Sequence, residues 1–76
     1  MITCTQTEFK YNGDDDPFIQ EPINSQYIES VRLYSHHGSY TKYFGIEFHM
    51  VSGSHINWKY KNETERDKQY NEIIKL

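Results

Sequence analysis

Alanine is absent from this chain of 76 residues, cysteine occurs once, proline twice, and no apolar run exceeds two or three residues. Each scarcity excludes something. Without a long apolar stretch there is neither a membrane span nor a secretory hydrophobic region. Cys4 has no partner for an intrachain disulfide, and with no signal peptide the expected compartment is the cytoplasm. Val, Ile, Leu and Phe total only 16 residues, a level at which disorder competes with a packed core.

Twelve aromatic residues, seven of them Tyr, tip that balance towards folding, since each ring can bury roughly 150–250 Å². The length supports a single domain over residues 1–76. A domain of this size buries only about 60% of its unfolded surface, so self-association is expected. Mean hydropathy is −0.91 and the pI about 5.7, which gives no general case for nucleic-acid binding. The net charge of −3 is unevenly spread. Residues 1–30 set six acidic groups against Lys10, whereas residues 31–62 set Arg32, Lys42, Lys59 and Lys61 against Glu47 and hold all four His. Ile, Lys, Asn, Tyr, Phe and Met, whose codons are AT-rich, reach 32 residues, which points to a low-GC bacterium or one of its phages.

Alternation over Ile2 to Tyr11 reads as a strand, and Asn12-Gly13 before Asp14-Asp15-Asp16-Pro17 as a turn. Residues 17–26 read as a loop pinned by Phe18 and Ile19. A second strand is expected from Tyr27 to Ser35, breaking at His36-His37-Gly38-Ser39. Ile46, Phe48 and Met50 alternate with polar neighbours, as do Ile56, Trp58 and Tyr60. A three-residue loop at Ser52-Gly53-Ser54 would set Met50 opposite Ile56, Phe48 opposite Trp58, Ile46 opposite Tyr60 and Glu47 opposite Lys59. That loop wants its left-handed residue last, where Ser54 stands instead of Gly53. Asn62 with Glu65 starts a helix, and Tyr70, Ile73, Ile74 and Leu76 give it an apolar stripe, with Lys68 and Glu72 as an i,i+4 pair. The expected fold is α+β: a small antiparallel β-meander of about four strands, with one C-terminal helix packed on one sheet face. Trp58 falls on the covered face and reads as core. The ending from Ser52 to Arg66 resembles the hairpin-to-helix close of many small bacterial and phage proteins, a likeness that carries no functional residue.

A helix on one face leaves the other open. With Val31 and Leu33 inward, Ile28, Arg32, Tyr34 and His36 point outward and share that face with Glu47, His49, Val51, His55, Asn57 and Lys59. Rings for stacking and cations for phosphate or carboxylate make Arg32, Tyr34, His36, Glu47, His49, His55, Asn57 and Lys59 the candidate ligand or partner surface. No metal is expected: His36 and His37 would point to opposite faces, and His49 and His55 would be only diagonal neighbours. Asp14–Asp16 lacks the alternating spacing and distal Glu of a calcium loop. Cys4 has no basic neighbour to lower its pKa, and no nucleophile or phosphate-loop motif is present. The chain therefore reads as a non-enzymatic binding protein without cofactor, acting through a protein–protein surface and forming a homo-oligomer. Size and acidity fit a phage or mobile-element inhibitor of a host or defence factor. The alternative is a nucleotide or short single-stranded nucleic-acid binder using segment 31–62, chiefly Arg32, Tyr34, Lys42, Tyr43, His49 and Lys59.

Overall fold

The computed structural model describes residues 1–10, 17–39 and 41–76. Its fold is α+β. Strands β1 (Glu8–Phe9) and β2 (Phe18–Ile19) form an antiparallel pair, while β3 (Ile28–His37), β4 (Lys42–Met50) and β5 (His55–Tyr60) form an antiparallel meander in that order. Helix α1 (Glu63–Ile73) follows. The meander thus has three strands, and the long first strand expected at residues 2–11 shrinks to β1 and one bridge between Ile2 and Ile23. Side-chain amides replace the missing ladder there: Thr5 N donates to Gln69 Oε1 at 3.0 Å, and Gln69 Nε2 donates to Thr3 O at 2.8 Å. The turn read at Asn12–Asp16 lies outside the described residues.

Phe18 and Ile19 do not pin the segment after them, being 47% and 60% exposed. Buried Gln20 and Ile23 do so instead. A single 3-10 turn, Ser25–Tyr27, delays β3, with the Asn24 side chain accepting from Gln26 N. The strand then continues through His37, and the reversal comes at Gly38, whose N–H donates to Thr41 O at 2.7 Å.

The β4–β5 loop has three residues, but they are Val51, Ser52 and Gly53. Met50 N donates to Ser54 O and Gly53 N to Met50 O, both at 2.9 Å, and Gly53 takes φ +93. The left-handed position therefore falls on the one residue in the loop without a Cβ. Moving the loop by one residue moves the register by two. Phe48 pairs with Ile56, Ile46 with Trp58, and Glu47 with Asn57 rather than Lys59. A shift of two keeps every side chain on its face, so the core residues stand as expected.

Ile46, Phe48, Trp58 and Tyr60 are fully buried, with Cys4, Ile23, Met50 and Ile73 completing the core. Phe48 meets Trp58 edge to face at 4.8 Å, and Trp58 Nε1 donates to Glu21 O at 2.9 Å. Burial pushes the Cys4 thiol up, in keeping with a cysteine that lacks activation. None of the helices formed by the described residues is long and apolar enough to cross a membrane.

Helix α1 starts as expected, with Asn62 Oδ1 accepting from Glu65 N at 3.2 Å. Its docked face is different. Arg66, Gln69 and Ile73 are buried while Ile74 and Leu76 stay exposed, and among the described residues no ion pair joins Lys68 to Glu72. The reason is hydrogen bonding. Arg66 Nη1 donates to Tyr34 O at 2.9 Å and to Gly45 O at 3.3 Å, while Asp67 Oδ1 accepts from Arg66 Nε at 2.7 Å. Gln69 Oε1 accepts from the buried Tyr60 hydroxyl as well as from Thr5. A rotation that buried Ile74 would strand these polar groups, at about 1–3 kcal/mol for each one left unsatisfied.

Replacing Gln69 by Leu orphans the Tyr60 hydroxyl and Thr5 N–H, and is expected to cost on the order of 2–3 kcal/mol in urea unfolding. Adding Tyr60→Phe removes one orphaned donor, so the double variant should lose less than the sum of the single losses.

Candidate functional site

Antiparallel pairing places the face turned away from α1. Arg32 pairs with Glu47, which pairs with Asn57; Ser30 pairs with His49, which pairs with His55; Tyr34 pairs with Gly45, which pairs with Lys59; and His36 pairs with Tyr43. Directly opposed residues share a face, as do residues two apart. Arg32, Tyr34, His36, Glu47, His49, His55, Asn57 and Lys59 therefore lie together on one surface. Two neighbours expected there do not. A bulge between Ile28 and Ser30 inserts Glu29 and turns Ile28 onto the core, as an extra residue in one strand must. Val51 leaves the sheet for the exposed hairpin loop.

One half of the surface is a cluster of rings. His36 stacks on Tyr43 at 5.0 Å, and Tyr43 meets Tyr34 at 6.0 Å and Phe9 at 5.6 Å edge to face. Lys59 Nζ sits 5.2 Å from the Tyr43 ring and 4.7 Å from that of Phe18. Tyr34 lies flat across Gly45: a Cβ on Gly45 would come within 2.3 Å of the ring. The glycine is thus a slot for an aromatic side chain, which covers backbone that a bare position would expose. Tyr43, named in the sequence only for the nucleic-acid alternative and not among the eight candidate residues, is the hub of the cluster. Its odd-number parity with Glu47 and His49 was the available signal. Phe9 and Phe18 come from the N-terminal pair, and no local pattern in the sequence brings them here.

The other half is polar. Glu47 Oε1 lies 2.7 Å from His49 Nε2 and 3.2 Å from Arg32 Nη2. The hydrogen bond with His49, followed by the Arg32 charge, holds the Glu47 carboxyl below its usual range. The ring centroids of His49 and His55 are 4.0 Å apart. The two histidines are direct cross-strand partners rather than diagonal neighbours, a consequence of the two-residue register shift. Along β5 an open groove of about 400 Å³ runs between Phe18, Ile19 and Glu21 on one side and His55, Asn57 and Lys59 on the other.

The basic segment 31–62 does not form one patch. Lys42 falls on the opposite face, over the Phe44 ring at 5.6 Å, and Arg32 is engaged by Glu47. No family model, curated protein or solved structure matches this chain, so the chemistry of the face rests on its own residues.

Gly45→Ala should drive Tyr34 off its seat and destabilise the sheet by about 1–3 kcal/mol in urea unfolding. In the Tyr34→Ala background the same change should cost much less, because the clash is gone.

Proposed function

We propose that this chain is a non-enzymatic binding protein acting through a protein–protein surface, and that the surface is the outer edge of β3, filled by a second copy of the chain. The contrast between the two edges of the meander carries the reading. On the outer edge of β5 the Gln20 side chain donates to Lys59 O at 2.8 Å and accepts from Lys59 N, and Gln6 Oε1 accepts from Lys61 N at 3.0 Å. That edge is blunted by amides standing in for a strand. The edge of β3 is ten residues long, and no strand among the described residues pairs with it from outside. With Gly38 N bonded to Thr41 O, ladder alternation turns the N–H and C=O groups of Val31, Leu33, Ser35 and His37 away from β4.

Apolar surface flanks this edge. Leu33, Ile74 and Leu76 are 37%, 56% and 76% exposed, and Ile28, Val31 and Ile73 line a groove with the last two. An antiparallel pair of β3 strands centred on Leu33 sets Leu33 against its own copy. It also sets Arg32 of each copy opposite Tyr34 of the other, a cation–aromatic pairing. Centring on Arg32 would oppose two guanidinium groups, and centring on Tyr34 would oppose Arg32 and His36. Strand addition of this kind takes affinity from the backbone and register from side chains. As a phage or mobile-element inhibitor, the protein would offer this same edge to a host or defence factor.

The test is sedimentation of the wild type and of Leu33→Pro. Proline at 33 deletes a donor that points away from β4, so the meander keeps its ladder. Wild type should sediment as a dimer and the variant as a monomer with unchanged far-ultraviolet dichroism. A wild-type monomer at high concentration overturns the second copy as occupant, and a dimer unaffected by Leu33→Pro overturns the edge.

A further inference from the structure

We propose that Glu47, His49 and His55 form a binding site for a borderline divalent transition metal of the zinc class, on the sheet face turned away from α1. The site follows from strand geometry. Glu47 and His49 are two apart on β4 and so share a face. His55 is the cross-strand partner of His49. Ladder alternation makes that pair a non-hydrogen-bonded one, in which the two Cα atoms come within about 4.5 Å and the side chains are closest. One ligand atom from each of the three residues can be chosen so that all lie within 4.8 Å of one another. An ion with bonds of about 2.0–2.2 Å in tetrahedral geometry holds its ligands roughly 3.4 Å apart. The Glu47–His49 pair is already inside that distance at 2.7 Å. His55 is exposed at the end of β5, so its ring can rotate to close the remaining gap.

The donor set selects the metal. Two imidazoles and one carboxylate suit zinc and its neighbours, whereas magnesium and calcium take oxygen ligands throughout. Three protein ligands leave a fourth position, which here opens to solvent beside the groove lined by Asn57 and Lys59. Arg32 stands 3.2 Å from the Glu47 carboxylate and is 64% exposed; it competes with the ion for that oxygen and can swing away. The ligands lie on β4 and β5, and none of them stands on the β3 edge.

Isothermal titration of the purified full chain with zinc chloride, alongside cobalt(II) absorption, tests the site. One zinc per chain is expected, and cobalt(II) should show the intense visible d–d bands of a four-coordinate ion. His55→Ala and Glu47→Gln should each weaken binding at least tenfold, whereas His36→Ala should leave it unchanged. Both His55 and His36 are surface residues, and dichroism checks that each variant is folded. Absence of stoichiometric zinc binding overturns the proposal. So does binding that survives His55→Ala, which would assign the ion to other histidines. Sedimentation of the metal-free chain reads the β3 edge separately, so failure of one proposal leaves the other standing.

Discussion

Gln69 Oε1 receives the Tyr60 hydroxyl and the Thr5 N–H and Oγ1, while its amide nitrogen reaches Thr3 O. Gln20 does the same work on the other side of the N-terminal segment, joining Lys59 N and O to Gln6 O and lying beside the Cys4 thiol. Among the described residues, the first third of the chain has only four in named strands. It is therefore these two buried amides, more than any ladder, that attach it to the meander. Among the described residues no buried side-chain polar atom lacks a partner, and that completeness makes polar burial affordable in so small a core.

The position of α1 follows from the same constraint. A helix placed by apolar area alone would bury Ile74 and Leu76. Arg66 instead brings its guanidinium onto the carbonyls of Tyr34 and Gly45, with Phe44 beneath it at 5.7 Å. The apolar end of the helix is left outside, next to the β3 edge. The core is thus closed by hydrogen-bond geometry, and the apolar side chains the helix leaves over, Ile74 and beyond it Leu76, stay outside. The opposite face, which carries the odd-numbered positions of β4, has no helix of the described residues over it and gathers the rings, the carboxylate and the histidines.

Much of this was legible in the sequence. Period-two alternation in β4 and β5 identified the core face, the burial of Trp58 and the membership of the open face, because parity survives a register error of two. The Asn62 cap also announced the helix. The register itself was not legible from side-chain pairing. The glycine rule for three-residue loops was the better guide, since placing Gly53 last yields the observed partners, and with them the direct His49–His55 pair. The β-bulge at Glu29 leaves no pattern that distinguishes it from plain alternation, so Ile28 was assigned to the wrong face. The roles of Gln20, Arg66 and Gln69 are invisible to any scheme that scores polar residues as surface. Nor does local sequence say that Phe9 reaches Tyr43 or that Phe18 reaches Lys59.

The bond between Thr5 and Gln69 spans 64 residues of chain, and that between Thr3 and Gln69 spans 66. Nearly every contact within the meander and its helix is closed over a far shorter loop. Loop-closure entropy therefore orders assembly: the hairpins and α1 come together first, and the N-terminal segment joins last, when its distant receptor has formed. During synthesis this segment emerges before anything it can bind. Cys4 and Ile23 must then wait for the core residues of β4 and β5 that cover them, and Thr3 and Thr5 for Gln69. For this chain, vectorial synthesis gives no head start, and its most vulnerable interval is the wait between the making of Thr5 and the making of Gln69.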